Sequence, residues 1–241
     1  MDFTAFLSAT DAERAKRSYT RLIQLCDQPP VLTGGLAIGL YLSRFGLVPE
    51  ARPLNDMDFL ATSFQELPQQ LSRFLLFLHV HPHDPPGKTL MQGVDPETAV
   101  RIDFFGVAES VLSRSISLEL CGSPARVISI EDLTARTARL CLDLATNTPT
   151  PAKHARDFLH LLPLVEPDST EEVWREHRKP NHPESFKTVA NLLPELIATR
   201  KELQIEPPYS QDVLAICPRC QPTEMFPLAD PRQVIALLGY R

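Results

Sequence analysis

Two hydrophobic periodicities divide the first half of the chain into alternating helices and strands. Apolar residues spaced among charges from Asp2 to Cys26 predict an amphipathic helix, which the Pro29-Pro30 pair ends. Helical spacing further along the chain predicts helices at Leu36–Phe45 and Thr62–Phe77. Short apolar runs predict strands at Val31–Leu32, Asp56–Ala61, Leu78–His83, Ala99–Phe105 and Val127–Ile130.

From Ile130 onward the pattern is helical. Helical spacing covers Ile130–Ala145, Pro151–Val165, Ser169–Lys179, Pro183–Leu203 and the shorter Arg232–Leu238. We therefore predict an α+β fold, in which a mixed β-sheet with flanking helices is followed by a C-terminal helical region. The predicted segments are an α/β core over residues 1–127, a helical region over 128–205 that closes a cleft, and a proline-rich tail over 206–241 with a short terminal helix.

Composition is that of an ordinary globular protein. Of 241 residues 43% are hydrophobic, and the net charge of −6 argues against broad, non-specific binding to nucleic acid. Five cysteines, an odd number, do not resemble a disulfide framework and suit a reducing compartment. The N-terminal segment lacks the pattern of a secretory signal, and no apolar run approaches the roughly 20 residues that span a bilayer. We expect a cytoplasmic protein with no membrane partner.

Two short segments carry groups that can bind phosphate and metal. Gly34-Gly35 follows an apolar strand and opens a helix, where bare backbone N–H groups can hold a polyphosphate. Asp56 and Asp58 are two residues apart on a predicted strand, so their carboxylates lie on one face and can share a Mg²⁺ site. A phosphate cradle followed by an acidic pair is the order of parts that metal-dependent nucleotidyl transfer requires.

The stretch VLTGGLAIGLYLSRFG…ARPLNDMDFLA resembles the signature of the nucleotidyltransferase superfamily, whose fold is shared with DNA polymerase beta. It is most similar to the minimal and toxin-type members, including the AbiEii abortive-infection group. The positions that match the Gly-Gly and Arg-x-x-x-Asp-x-Asp parts of that signature are Gly34, Gly35, Arg52, Asp56 and Asp58. The resemblance covers about residues 28–165.

The resemblance also implies a third carboxylate on a neighbouring strand. Arg101-Ile102-Asp103-Phe104-Phe105 offers Asp103 between apolar residues. Asp56 and Asp58 would then hold two Mg²⁺ ions that neutralise the triphosphate of an NTP. Asp103 would complete the second metal site and help deprotonate the acceptor hydroxyl.

A second resemblance to toxin-type members lies in the helical region. There a helix beginning Ser-x-Glu-Asp-Leu, here from Ser129, is followed by a helix with a Lys-x-x-x-Asp unit, here Lys153 and Asp157. Residues 153 and 157 share one helix face, so Lys153 can reach a triphosphate that Asp157 helps to hold or orient. The alternative is an ordinary pair of exposed side chains on the helix surface.

Two groups of candidate zinc ligands have weaker patterns. His79, His81 and His83 alternate, but the prolines around His83 favour an edge strand that runs into a polar loop. Cys217 and Cys220 have the spacing of half a zinc site, which needs four ligands. The residues that could complete it, Cys121, Cys141, His177 and His182, have no paired spacing. We therefore expect no structural zinc.

Together these patterns predict a Mg²⁺-dependent nucleotidyltransferase that moves a nucleoside monophosphate from an NTP to a hydroxyl acceptor. The acceptor could be RNA, a protein or a small molecule. The toxin-type resemblance favours tRNA or a protein and implies an antitoxin partner. The alternative is a non-catalytic binding or regulatory module on the same scaffold, although such a scaffold would be free to lose Asp56, Asp58 and Asp103.

Overall fold

A seven-stranded sheet and a group of helices belong to two compact units of the chain. The computed structural model describes residues 1–47, 53–81, 90–144, 153–200, 203 and 226–238. One unit comprises Met1–Ile128 and Gln211–Arg241, and the other comprises Ser129–Ser210. Among the described residues, all strands lie in the first unit and the second unit is helical.

The sheet is mixed. Its strands are β1 (Val31–Thr33), β2 (Asp56–Ala61), β3 (Leu76–His81), β4 (Leu90–Asp95), β5 (Val100–Gly106), β6 (Ile116–Leu120) and β7 (Ser123–Val127). They lie in the order β3-β4-β5-β2-β1-β7-β6. At its centre β2 runs parallel to β5 and antiparallel to β1. With the helices around it, this sheet confirms the predicted α+β class.

The helices are divided between the two units. The first contains α1 (Ala9–Gln24), α2 (Gly34–Arg44), the short α3 (Leu71–Phe74) and α4 (Glu109–Ser113), and the terminal α9 (Pro231–Leu238). The second contains α5 (Ile130–Leu144), α6 (Lys153–Leu161), α7 (Pro167–His177) and α8 (Phe186–Thr199). Within the described ranges, no helix combines the length and apolar character needed to cross a membrane.

The first helix begins later than the sequence predicts. Residues Phe3–Ala5 form a 3₁₀ turn, and α1 starts only at Ala9. The Ser8 hydroxyl accepts a hydrogen bond from the Asp11 backbone N–H at 3.1 Å. This N-cap satisfies one of the open donors of the first turn and fixes the start of the helix.

The predicted helix over Thr62–Phe77 is wrong. The segment contains a 3₁₀ turn at Phe64–Glu66, the single turn α3, and the beginning of β3. Pro68 explains the break, because the residue before a proline is driven out of the helical region. Leu67 accordingly has an extended ψ of 140°. The apolar stripe that suggested one helix belongs to several short elements.

The strand predicted at Val127–Ile130 is also displaced. The structure has a hairpin of β6 and β7 there, and α5 begins at Ile130. Cys121 and Gly122 connect the two strands, with φ values of 54° and 79°. Positive φ at both loop positions matches the type I′ turns that suit twisted hairpins. The sequence pattern missed β6, and it also missed β4.

Stacked aromatic rings hold α1 against the central strands. The ring of Tyr19 on α1 stacks on Phe59 of β2 at 6.5 Å, and Phe59 stacks on Phe104 of β5 at 5.7 Å between centroids. All three side chains are fully buried. Burial of each large aromatic contributes a few kcal/mol, about 1.5–3 for a ring the size of phenylalanine. This packing fixes β2 and β5 side by side, which matters for the residues on their opposite face.

The helices predicted after Ile130 are confirmed, with ends that differ from the predicted ones by a few residues. Their core surrounds the buried Trp174, whose indole N–H donates to the Pro183 carbonyl at 2.9 Å. Phe158 of α6 and Phe186 of α8 are fully buried in the same cluster. The second unit therefore has a hydrophobic core of its own.

Candidate functional site

Three carboxylates converge on one face of the central strands. In the parallel pair β2 and β5, Asp58 lies directly across from Asp103, and Asp56 is two residues before Asp58. Side chains two apart on a strand, and those directly across from each other, point to the same face. One ligand oxygen from each of Asp56, Asp58 and Asp103 lies within 4.8 Å of the others. No other group of three such ligands occurs in the part of the chain that the structure describes.

The glycine pair lies beside this cluster. β1 places Thr33 directly across from Asp58, and α2 begins at the next residue, Gly34. Gly34 has a φ of 65°, and a Cβ on it would lie 1.9 Å from Asp58 Oδ2. Only glycine leaves room for the carboxylate at this position. A Cβ on Gly35 would meet nothing within 4 Å, so open space adjoins the backbone there.

The first turn of α2 is available to an anion. The side chain of Thr33, at the N-cap position, makes no capping hydrogen bond. The first N–H groups of a helix have no partner within the helix, and the macrodipole places partial positive charge there. A phosphate beside Gly35 would therefore meet backbone donors, while the carboxylates on β2 and β5 could hold the accompanying cation.

Two residues that the sequence analysis did not single out complete the cluster. Arg101, directly across from Asp56, donates to Asp56 Oδ2 through Nη2, and its Nε lies 3.3 Å from Asp103 Oδ2. Gln92 of β4 lies across from Asp103 and donates to the same oxygen at 3.1 Å. Strand alternation places Arg101 on the face of Asp103, and this was the signal in the sequence. The contact with Gln92 depends on β4, which the sequence pattern did not predict.

The donor set fits a hard divalent cation. Magnesium prefers carboxylate and carbonyl oxygens, and here three carboxylates lie within reach of a common ion. Gln92 is only 4% exposed, and its Oε1 is buried without a hydrogen-bond partner among the described residues. A buried amide oxygen without a partner is costly and points to a ligand, such as water or an ion, in its neighbourhood. Asp56, Asp58 and Asp103 are thus the residues that could hold Mg²⁺.

Three further residues were predicted to contact the nucleotide: Arg52, Lys153 and Asp157. Arg52 is outside the described residues. Lys153 and Asp157 are on α6 in the second unit, where Lys153 is exposed and Asp157 is 2% exposed. Because Asp157 is buried, the two residues are not the pair of exposed side chains that was the alternative interpretation. Their part in nucleotide binding stays a prediction.

The Ser-x-Glu-Asp-Leu segment forms a buried network at the start of α5. Ser129 accepts from the Asp132 backbone N–H at 3.0 Å and donates its hydroxyl to Asp132 Oδ2 at 2.8 Å. Asp132 Oδ1 lies 2.7 Å from His177 Nε2. Burial lowers the pKa of His177 below its usual value, although the hydrogen bond to Asp132 opposes that change. Hence a neutral His177 donates to Asp132, and the network positions α5 against α7.

Three of the candidate zinc ligands lie in the second unit: Cys141, His177 and His182. His177 binds Asp132, and His182 binds Asp143 at 3.1 Å. The Cys141 thiol is buried, and burial raises its pKa to about 12, with nearby Asp157 adding to the rise. A thiol with that pKa is protonated at neutral pH and is a poor ligand or nucleophile. His83, Cys217 and Cys220 lie outside the described residues.

The solved structures that are similar to the chain include a nucleotidyltransferase-like protein and a proposed nucleotidyltransferase. No protein-family model and no curated protein sequence matches the chain. An antigenic nucleotidyltransferase-like protein from Paracoccidioides brasiliensis is similar at 15% identity, with 81% of this chain and 94% of that chain covered and a TM-score of 0.47. A proposed nucleotidyltransferase from H. pylori is similar at 17% identity, with 82% and 97% covered and a TM-score of 0.32. Likeness at this level assigns neither a family nor an activity to the chain.

Proposed function

We propose that this protein is a Mg²⁺-dependent nucleotidyltransferase, which moves a nucleoside monophosphate from an NTP to a hydroxyl acceptor and releases pyrophosphate. The observation that supports this most is the convergence of Asp56, Asp58 and Asp103, with ligand oxygens within 4.8 Å of one another. Metal pairs in two-metal sites are about 3.5–4 Å apart, a separation that a cluster of this size can bridge. The open backbone at Gly35 supplies the adjoining place for the triphosphate.

Each residue has a distinct part in this proposal. Asp56, Asp58 and Asp103 would hold two Mg²⁺ ions, whose charge would stabilise the transferring phosphoryl group and the leaving pyrophosphate. Asp103 is the carboxylate that would also accept the proton of the acceptor hydroxyl. Gly34 and Gly35 would present backbone N–H groups to the triphosphate. Arg52, Lys153 and Asp157 are further proposed contacts to the nucleotide.

The acceptor is proposed from the toxin-type resemblance. A tRNA 3′ end or a protein hydroxyl is the first choice, and a small molecule is the other class. A nucleotidyl-transferring toxin would need an antitoxin partner. The net charge of −6 argues for recognition of one particular acceptor over broad affinity for RNA.

The test combines a labelling assay with one matched pair of variants. Incubation of the protein with α-³²P-labelled NTPs, Mg²⁺ and a cell extract should label one fraction: RNA, protein or small molecules. Asp58→Asn keeps the shape of the side chain but removes one of three clustered charges, so we expect transfer to be abolished. Asp27→Asn makes the same change at an exposed residue and should leave transfer unaltered.

Stability separates a catalytic role of Asp58 from a structural one. Because the three carboxylates lie within 4.8 Å of one another, loss of one charge should leave the metal-free protein as stable as before or slightly more stable. Unfolding of Asp58→Asn would assign the residue a structural role. Absence of labelling with the wild-type protein in every fraction would favour the non-catalytic binding module.

A further inference from the structure

A cationic side chain already binds two of the three clustered carboxylates. Arg101 lies across from Asp56 and two residues before Asp103, so all three side chains lie on one face. Its Nη2 donates to Asp56 Oδ2, and its Nε is 3.3 Å from Asp103 Oδ2. The Arg101 side chain is 14% exposed, which places the guanidinium mostly out of water.

The guanidinium contacts two of the carboxylates that would hold a metal ion. Both of its carboxylate contacts are to ligand residues of the candidate metal cluster. Asp103 Oδ2 also accepts a hydrogen bond from Gln92 Nε2 at 3.1 Å, so this oxygen faces both the guanidinium and a hydrogen-bond donor. A metal ion coordinated by that oxygen, or by Asp56 Oδ2, would meet the positive charge of Arg101 at close range. Like charges so close repel strongly where water is scarce.

Counting charges shows what Arg101 does to the nucleotide-free protein. Three carboxylates carry −3, and the guanidinium brings the cluster to −2. Without Arg101, three like charges within 4.8 Å would repel one another more strongly. With it, the cluster is tolerated in the folded protein, but its attraction for a divalent cation is reduced.

We propose that Arg101 is a built-in counterion that competes with the metal for Asp56 and Asp103, and so keeps divalent-ion affinity low until nucleotide binds. This inference rests on the proposed metal site. Tight metal binding requires the guanidinium to leave at least one carboxylate. The triphosphate of an incoming NTP favours that exchange, because it brings negative charge that a displaced Arg101 can face.

The test measures Mn²⁺ binding to the nucleotide-free protein by electron paramagnetic resonance, with Arg101→Gln compared to wild type. Removal of the competing charge should tighten Mn²⁺ binding tenfold or more. Arg17→Gln is the matched control, since it removes one positive charge from the same unit at a 55% exposed side chain and should leave the Kd unchanged. An unchanged or weaker Kd in Arg101→Gln would overturn the proposal.

A second variant covers the case in which Arg101→Gln does not fold. Arg101→Lys keeps the charge but cannot bridge two carboxylates as a planar guanidinium does, so it should bind Mn²⁺ at least threefold more tightly than wild type. If Arg101→Lys and wild type bind Mn²⁺ with equal affinity, Arg101 does not compete with the metal for the carboxylates. If wild type and both variants bind no Mn²⁺ at millimolar concentration, the metal site itself is refuted and the proposed function fails with it.

Discussion

Replacement of Gly34 by alanine tests the geometry of the site most directly. At a φ of 65° an alanine is disfavoured by about 1–2 kcal/mol. The new Cβ would also lie 1.9 Å from Asp58 Oδ2 and 2.8 Å from its Cγ. The carboxylate must then leave its rotamer, which costs about 0.5–1.5 kcal/mol. We therefore expect Gly34→Ala to lower the free energy of unfolding by about 1.5–3.5 kcal/mol.

Urea denaturation followed by far-UV circular dichroism would measure this loss. The single tryptophan, Trp174, lies in the second unit, so its fluorescence monitors that unit separately. Gly35→Ala is the control, because its Cβ would meet nothing within 4 Å, and its effect should stay within about 0.5 kcal/mol. The same Gly34→Ala protein should bind Mn²⁺ more weakly than wild type, since Asp58 is displaced.

A double-mutant cycle separates backbone strain from the clash. In an Asp58→Ala background, the two atoms nearest to the new Cβ are gone, and only Asp58 Cβ at 3.0 Å remains. Gly34→Ala should then cost only the backbone term, about 1–2 kcal/mol. The difference between the two backgrounds is the coupling between Gly34 and Asp58. Equal losses in both backgrounds would refute the close approach of the carboxylate to the glycine.

Two further predictions concern the second unit. Since burial lowers the pKa of His177, the unfolded chain takes up the proton first, and stability should fall as pH drops below about 6.5. Trp174 fluorescence can follow unfolding at pH 7.5 and 5.5, and the loss of stability between these two pH values should be smaller in His177→Gln than in wild type. The loss that remains should include a contribution from His182, because burial lowers its pKa as well. Lys153→Ala should reduce NTP transfer tenfold, which corresponds to about 1.4 kcal/mol of transition-state stabilisation, without loss of stability. The control variant Lys187→Ala, at another exposed lysine, should leave NTP transfer unchanged. An unchanged pH response in His177→Gln, or unchanged transfer in Lys153→Ala, would contradict the respective prediction.

The parts of the site that could be predicted are those with local patterns. Asp56 and Asp58 lie two residues apart on β2, so strand alternation places them on one face. On β5, the neighbouring strand in the sheet, Asp103 lies between the buried residues Ile102 and Phe104. The acidic pair is apparent from a few consecutive residues, whereas Asp103 was singled out through the family resemblance, which implies a third carboxylate on a neighbouring strand. The convergence of the three carboxylates then required only that β2 and β5 be neighbours.

The parts that could not be predicted depend on pairing between distant residues. β4 was missed, and with it the contact between Gln92 and Asp103. The sequence also gave no sign that His177 would donate to Asp132, because 45 residues separate them. The helix predicted around Pro68 was wrong for another reason. The apolar stripe continues past this proline, although a proline disfavours helical backbone in the residue before it.

The register of the sheet connects the hydrophobic core to the candidate site. A slip of one residue between β2 and β5 would turn Asp58 or Asp103 to the other face and expose apolar side chains. Four fully buried residues make such a slip costly: Met57, Phe59, Ile102 and Phe104. The same register continues across the sheet, from Thr33 through Asp58 and Asp103 to Gln92 and His79. Packing on one face thus positions a row of polar side chains on the other, so mutations of the buried residues should alter metal affinity although their side chains lie on the opposite face of the sheet.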